Sequence, residues 1–328
     1  MRRRDFVTLL GGSAIAWPLA VQAQQPAMPV IGYLGIRSAE SDASRLTGLR
    51  RGLNETGYVE GRNLTIEYRW GGNQPDRLAA LVAELIQMRV AVIVTPGLLS
   101  TLAAKAATTT IPILFGVGAD PVQHGLVASL NRPGGNLTGF NQFGIELVAK
   151  GLALLHELVP SSTTIGYLGN PNNSIIDELV TRDVLAAAPA MGIRIQILKA
   201  TTDREIDAAF ESLVQARTGT LLVGNDAFMN SRIEQIVALA ARHAIPVMST
   251  VGREFVAAGG LISYGSSLTE TYRQIGLYAG RILKGEKPAD LPVVQASQFE
   301  LAINLQTAKA LRLEIPAKLL ALADEVIE

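Results

Sequence analysis

The chain reads VAVIVTPGLLSTLAAKAATTTIPILFGVG from residue 90 to residue 118, and this stretch decides the fold. The short apolar run from Val90 to Val94 predicts a buried strand that ends at Thr95-Pro96-Gly97. A helix is predicted from Ser100 to Thr108, and the apolar run from Ile111 to Phe115 predicts the next strand. A strand, a helix and a second strand of these lengths form one unit of a parallel α/β sheet.

The same alternation continues on both sides of this unit. Toward the N-terminus, the predicted elements are the strand Val30 to Leu34, the helix Ala43 to Thr56, the strand Leu64 to Trp70, and a helix capped by Asp76 that runs to about Met88. After the turn at Asn131 to Asn136, a second series of strands and helices begins, with helices predicted at roughly Glu146 to Leu158 and near Glu205 to Gln215. We find two successive units of similar size, without a clear residue-level repeat. The sequence therefore predicts an α/β fold with two Rossmann-like lobes, each built on a parallel sheet.

The first 23 residues are typical of an export signal. Three arginines, Arg2 to Arg4, precede a mildly apolar run from Phe6 to Leu19, and the small residues that end at Ala23 suit cleavage after that residue. The apolar run is too short for a stable membrane span. The Arg3-Arg4 pair resembles a twin-arginine signal, but an ordinary secretory signal remains an alternative. We expect a soluble periplasmic protein whose signal peptide is removed after about Ala23.

Composition excludes several classes of function. The 328 residues include 29 basic and 29 acidic side chains, so the chain lacks the basic excess that nucleic-acid binding usually requires. Cysteine is absent, which excludes disulfides, zinc–thiolate sites, iron–sulfur clusters and a lipidated N-terminal cysteine. We expect a protein that binds no nucleic acid.

No catalytic or metal-binding pattern stands out. The three histidines, His124, His156 and His243, have no partner at metal-ligand spacing. There is no Gly-x-Ser-x-Gly elbow and no phosphate-binding loop, and no pair of carboxylates is marked by its spacing. We therefore expect a binding protein that is not an enzyme and has neither a catalytic residue nor a metal or cofactor. The alternatives are an exported α/β enzyme and the ligand-sensing domain of a receptor.

Small and polar residues mark the ends of the predicted strands. Open parallel sheets bind ligands outside the carboxyl ends of their strands, so these residues are the candidates for a cleft between the lobes. The same residue types also form ordinary turns and helix caps, which is the alternative for each of them. The candidate ligand-binding residues are Tyr33, Ser38, Thr95, Gly97, Asp120, Asn141, Asn170, Asp226, Ser263 and Tyr264.

These candidates suggest a ligand with a carboxylate and an apolar or aromatic body. Ser38, Thr95 and Gly97 are candidate donors to a carboxylate, and either Asp120 or Asp226 is a candidate partner for an ammonium group. The two tyrosines are candidates for stacking on the apolar part of the ligand. The ligand is therefore expected to be an amino acid or another aromatic or carboxylate compound.

Several longer motifs carry a family resemblance. They are the Arg-Arg-Arg-Asp-Phe leader, Gly57 to Leu64, Ala119 to Val122, Asn131 to Gly139, Arg253 to Leu261, and Gly285 to Pro292 followed by Phe299-Glu300-Leu301. With these motifs the chain resembles ABC transporter substrate-binding proteins, in the group related to tryptophan-binding, TrpX-like proteins. The resemblance covers nearly the whole chain, but the matching motifs are mostly turns and packing segments and do not identify the ligand.

The resemblance implies a type I periplasmic-binding fold whose two lobes are joined by a three-crossover hinge. The crossovers are expected near residues 139–141, 263–265 and 293–299, so that lobe 1 comprises residues 28–139 and 265–293, and lobe 2 comprises residues 140–264 and 294–328. It also implies hinge closure on a small molecule and delivery to ABC permease subunits in the inner membrane. A monomer is expected.

Overall fold

The computed structural model describes residues 28–142, 146–296 and 299–328, so the predicted export signal lies outside the described residues. The strands are β1 (Val30–Gly35), β2 (Thr65–Trp70), β3 (Val92–Pro96), β4 (Ile113–Val117), β5 (Leu137–Asn141), β6 (Thr164–Gly169), β7 (Arg194–Lys199), β8 (Thr220–Val223), β9 (Val247–Ser249), β10 (Ile262–Ser266), β11 (Val294–Gln295), β12 (Phe299–Asn304) and β13 (Glu325–Ile327).

Helices follow most of these strands, as the alternation predicts. They are α1 (Ala43–Glu55), α2 (Leu78–Gln87), α3 (Leu98–Ala107), α4 (Glu146–Leu158), α5 (Ser174–Ala187), α6 (Asp203–Gln215), α7 (Ala227–Asn230), α8 (Ile233–His243), α9 (Arg253–Ala257), α10 (Leu268–Leu283), α11 (Leu305–Ala310) and α12 (Ala317–Leu322). Among the described residues, no helix has the length and apolar character needed to cross a bilayer.

The strands form two sheets. The first has the spatial order β11-β5-β4-β3-β1-β2 and is parallel throughout. The second has the order β13-β12-β10-β9-β8-β6-β7, in which β12 runs antiparallel to β10 and the other pairs are parallel. The predicted α/β fold with two Rossmann-like lobes is confirmed, and within the described residues the antiparallel pairing of β10 with β12 is its one departure from parallel sheets.

The chain passes from one sheet to the other three times. It leaves the first sheet after β5, returns to it from β10 by way of α10, and leaves it again between β11 and β12. Strand β5 reaches Asn141 and β10 reaches Ser266, so each of these strands stays whole within one sheet. The exact lobe boundaries that we expect from the resemblance remain a prediction.

Helices α1 and α10 pack closely because glycines face the contact. A Cβ atom built on Gly52 would lie 1.9 Å from the carbonyl oxygen of Arg273, and one on Gly276 would lie 2.3 Å from that of Leu49. Either distance is far below van der Waals contact, so the two helix axes can come this close only without side chains at these positions. The contact ties α10, late in the chain, to α1 near its start.

Two helix starts differ from the prediction. Asp76 does not cap α2, because Pro75 begins a short 3₁₀ turn, Pro75–Arg77, and the α-helix starts only at Leu78. Helix α6 begins at Asp203 rather than at Glu205, because Thr202 and Glu205 form a capping box in which the Thr202 side chain accepts from the Glu205 backbone N–H.

The two halves share one short stretch of sequence, although the sequence shows no clear residue-level repeat over its length. Strands β1 and β6 contain the same five residues, Ile-Gly-Tyr-Leu-Gly, at 31–35 and 165–169. The two strands also have equivalent places, since β1 lies between β2 and β3 and β6 lies between β7 and β8. Five shared residues are too few to stand out from chance in the sequence. They become meaningful only when the structure shows that the two strands have equivalent places in their sheets.

Candidate ligand-binding site

A cavity of about 110 Å³ lies between the two sheets, at the carboxyl ends of their strands. Three charged side chains line it: Arg37 and Arg45 from the first half of the chain, and Asp226 from the second. The other lining residues are Ile36, Asn73, Pro75, Pro96, Gly97, Leu98, Leu99, Ser100, Gly116, Gly118, Gln142, Val148, Asn170, Asn172, Asn173, Val180, Asn225, Phe228 and Tyr272. The cavity is therefore closed by elements of both lobes.

The first wall contains two arginines that share one carboxylate. Asp42 is completely buried, with its Oδ1 3.0 Å from Arg37 Nε and 3.3 Å from Arg45 Nη1. The contact with Arg45 is a hydrogen bond, whereas Arg37 Nε has no hydrogen-bond partner. Both guanidinium groups are more than nine-tenths buried. This wall therefore has two positive charges against one negative charge, in a place where water screens little.

Tyr33 fixes the other oxygen of the Asp42 carboxylate. Its hydroxyl donates to Asp42 Oδ2 at 2.8 Å, and its ring contacts those of Tyr68 and Trp70. Burial, together with the nearby carboxylate, raises the pKa of Tyr33 well above its usual range, so the phenol stays a donor. Gly35 gives this cluster room, since a Cβ atom there would lie 2.5 Å from the Trp70 ring.

The two arginines differ in how well they are compensated. Burial lowers the pKa of Arg37, and Arg45 beside it lowers that pKa further. Burial also acts to lower the pKa of Arg45, but Asp42, Tyr272 and Tyr33 more than offset this, and the pKa of Arg45 is raised. Arg45 also lies over the Tyr272 ring, 5.8 Å from its centroid. Arg37 is thus the positive charge with the weaker compensation.

Helix α3 begins at the cavity. Gly97 lies at its N-terminus with φ +104°, a conformation that side chains disfavour, and its N–H donates to the carbonyl of Gly116. The backbone N–H groups of the first turn have no partner within the helix, and this end has a partial positive charge. The hydroxyl of Ser100 in that turn is buried and has no hydrogen-bond partner.

The second wall presents a carboxylate held by neutral groups. Asp226 Oδ1 accepts from Asn170 Nδ2 at 2.7 Å and from the backbone N–H of Phe228 at 2.7 Å. Its Oδ2 accepts from Asn173 Nδ2 at 2.9 Å. These donors fix the orientation of the carboxylate without cancelling its charge, and no lysine or arginine lies within ion-pair distance of it among the described residues.

Buried polar atoms without partners concentrate at this cavity. Among the described residues, eleven buried side-chain nitrogen and oxygen atoms have no hydrogen bond. Six of them belong to cavity-lining residues, namely Arg37, Arg45, Asn73, Ser100, Gln142 and Asn173. Native proteins rarely leave such groups unsatisfied, so these atoms are available as partners for polar groups in the cavity.

Three of the ten residues predicted from the sequence line the cavity: Gly97, Asn170 and Asp226. Tyr33 lies within β1 and Thr95 is the last residue but one of β3, and both side chains are buried in the first half of the molecule. Thr95 Oγ1 lies 2.9 Å from Thr101 Oγ1.

Ser38 and Asp120 lie in turns outside the cavity lining. The Ser38 hydroxyl is exposed and lies 3.0 Å from that of Ser41. Asp120 Oδ1 accepts from the backbone N–H groups of Val122 and Gln123, as in the turn interpretation of these strand ends.

Asn141 lies at the end of β5, and Ser263 and Tyr264 lie within β10; none of the three lines the cavity. Asn141 is buried at the end of β5. Ser263 is completely buried in β10, and Tyr264 contacts the Phe299 ring across the antiparallel strand pair.

Sequence reasoning missed Arg37, Arg45, Asn73, Gln142 and Tyr272. Arg45 left a detectable signal, since it lies on the same face of α1 as Leu49, Gly52 and Leu53 instead of on the polar face. Arg37 follows β1 directly but looks like any charged turn residue. Among the described residues, no group of three or more acidic or histidine side chains could hold a metal ion.

Comparison with known proteins identifies the family of this chain. A family model described as ABC transporter substrate binding protein matches residues 31–327. A tyrosine-binding protein from Clostridioides difficile (strain R20291) is 26% identical over 267 residues, which cover 81% of this chain and 76% of the relative.

Two crystal structures are similar over nearly the whole chain. A conserved domain protein from Vibrio cholerae O1 biovar El Tor superposes with a TM-score of 0.82 at 26% identity, over 91% of this chain and 99% of the other. An ABC domain from Streptococcus pneumoniae in complex with L-Trp superposes with a TM-score of 0.80 at 24% identity, with the same coverage. The resemblance inferred from the motifs is confirmed: the chain belongs to the ABC transporter substrate-binding protein family, as a solute-binding component of an ABC importer.

Proposed function

We propose that this protein is exported to the periplasm, captures an α-amino acid with an apolar or aromatic side chain, and presents it to its permease. The observation that carries the proposal is the opposite charge of the two cavity walls. Arg37 and Arg45 exceed Asp42 by one positive charge on the first wall, and Asp226 supplies one negative charge on the second. A zwitterion complements both walls at once.

The carboxylate of the ligand belongs at the first wall. Arg37 and Arg45 line the cavity there, and the start of α3 adds the Ser100 hydroxyl and free backbone N–H groups. Guanidinium groups and helix N-termini are the usual partners of carboxylates in proteins. The ammonium group belongs at Asp226, because a carboxylate has about four lone-pair sites and the three described hydrogen bonds leave room for one more.

The rest of the lining suits an apolar side chain. Ile36, Pro75, Leu98, Phe228 and Tyr272 surround the polar groups. Pockets of this kind use a few polar contacts for orientation and apolar surface for affinity. The tyrosine-binding protein from Clostridioides difficile supports the same ligand class.

Capture is proposed to occur by hinge closure. The ligand binds one lobe and then stabilises the closed state, because only that state brings both charged walls to it. The protein is proposed to act as a monomer that needs no cofactor and binds no nucleic acid. Export through the leader at residues 1–23 is part of the proposal.

A thermal-shift panel tests the proposal. The mature chain is mixed with each of the twenty amino acids, with the corresponding amides and deaminated acids, and with sugars. An aromatic or apolar amino acid is expected to raise Tm, while its amide and its deaminated acid bind much more weakly. A rise in Tm with sugars or with deaminated acids alone would contradict the zwitterion, and mass spectrometry of ligand released from the purified protein provides an independent check.

A further inference from the structure

We infer that Asp42, which does not reach the cavity, determines how many negative charges the ligand head group must have. This inference rests on the proposed function and deepens it. Asp42 cancels one of the two guanidinium charges at the first wall, so that the wall matches a head group with a single negative charge. Asp42 is therefore a specificity-determining residue that acts through Arg37 and Arg45 without touching the ligand.

The geometry of the cluster separates the two arginines. Asp42 lies at the start of α1, completely buried beneath the cavity, and Tyr33 fixes its second oxygen. Its hydrogen bond goes to Arg45 Nη1, while Arg37 Nε faces it without hydrogen-bond geometry. Both arginines are thus paired with one carboxylate, and Arg37 makes its pairing without a hydrogen bond.

The second half of the molecule supplies the contrast. Asp177, in the first turn of α5 after the matching strand β6, is also buried, but it pairs with the single cation Lys199. Neither residue lines the cavity. The carboxylate at this position is therefore balanced one to one, and it leaves no spare charge for a ligand. Among the described residues, only the cluster in the first half combines a buried aspartate with two cations that reach the cavity.

The test compares L-tyrosine with its phosphonic acid analogue, in which a phosphonate replaces the carboxylate. A phosphonate, like a phosphate monoester, loses its second proton at about pH 6 and so has nearly two negative charges at pH 8. Wild type is expected to prefer the carboxylate. Asp42→Asn removes the compensating charge, and it is expected to shift the ratio of the two dissociation constants toward the phosphonate by about tenfold or more.

Two further variants separate charge from packing. Asp177→Asn makes the same change at the matching position of the other half, and it is expected to leave the ratio unchanged. The double variant Arg37→Gln/Asp42→Asn restores one net positive charge at the first wall, and it is expected to return the ratio to the wild-type value. A purely structural role for Asp42 would not be rescued in this way.

Every outcome bears on the inference. An unchanged ratio in a folded Asp42→Asn variant overturns it, as does an equal shift in Asp177→Asn. Should Asp42→Asn fail to fold by circular dichroism, Arg37→Gln alone decides, since it keeps the bond between Asp42 and Arg45. Because this variant removes one positive charge while Asp42 stays, it is expected to shift the ratio of the two dissociation constants away from the phosphonate by about tenfold or more, and an unchanged ratio overturns the inference. If wild type binds no amino acid, the proposed function fails first and the inference falls with it.

Discussion

Strands β1 and β6 contain the same five residues, yet the two halves of the molecule use them differently. In each strand the tyrosine is buried, and a buried aspartate follows at the start of the next helix, Asp42 in one half and Asp177 in the other. Asp42 faces two arginines that line the cavity, whereas Asp177 pairs with one lysine away from it.

The comparison shows which side chains supply the charge that each half presents to the cavity. In the first half, one positive charge is left uncompensated because two arginines, Arg37 and Arg45, surround Asp42. In the second half, Asp177 is neutralised, and the charge comes instead from Asp226, at the end of another strand and held by neutral amides. The same strand and the same buried carboxylate thus support opposite walls of one cleft.

The largest expected effect comes from removing the charge of the second wall. Asp226→Asn keeps an acceptor for Asn170 or Phe228 but has no charge for the ligand ammonium. Loss of one partner of a buried charge pair costs about 2 to 5 kcal/mol, so affinity for the amino acid should fall about 30-fold or more. Isothermal titration measures it. Asp203→Asn, at an exposed ion pair with Arg232, is the matched control and should bind normally.

The next effect distinguishes the two repeated tyrosines. The Tyr33 hydroxyl donates to a buried carboxylate, and no hydrogen bond of the Tyr167 hydroxyl is found among the described contacts. Tyr33→Phe should lower the free energy of unfolding by about 1.5 to 3 kcal/mol, and Tyr167→Phe should lower it less. Urea unfolding of both variants decides this, and equal losses would contradict the difference between the halves.

Tyr33→Phe should also change the pH dependence of stability. Burial raises the pKa of Tyr33 above its unfolded value, so folding retains this proton, and stability is lost as the pH rises above about 10. Tyr33→Phe has no such proton and should show a shallower decline in stability above that pH. An identical decline in wild type and variant would mean that Tyr33 is not the protonated group.

The smallest expected effect concerns the packing of α1 against α10. Gly52→Ala would place a Cβ atom 1.9 Å from the carbonyl oxygen of Arg273 and should cost about 1 to 3 kcal/mol of stability through overpacking. Gly151→Ala, in α4 of the other half, meets only ordinary contacts at 3.5 Å, and it should be neutral or slightly stabilising. Thermal unfolding of the two variants compares them directly, and a Gly52→Ala variant as stable as wild type would contradict the tight contact.

The alternation of strands and helices predicted the fold well, because periodicity reports burial locally. It placed α4 at its observed bounds and brought Gly97, Asn170 and Asp226 to the cavity, since parallel strands end at one edge. It failed for Arg37 and Arg45 because a buried arginine resembles a solvated one until its counterion is known. Asp42 and Tyr33 also lie beneath the site rather than in it, and only packing shows that relation.

The close contact between α1 and α10 also affects the order of assembly. Arg45 and Tyr272 meet at the first wall, although more than half of the chain separates them. Strands β1 to β5 come from one uninterrupted stretch, as do β6 to β10, but each sheet also takes strands from the last part of the chain, β11 in the first sheet and β12 and β13 in the second. Long-range contacts form late, so the arginine wall should form only after α10 has packed against α1. Competence to bind the ligand would therefore appear late in folding, after most of the chain has been synthesised.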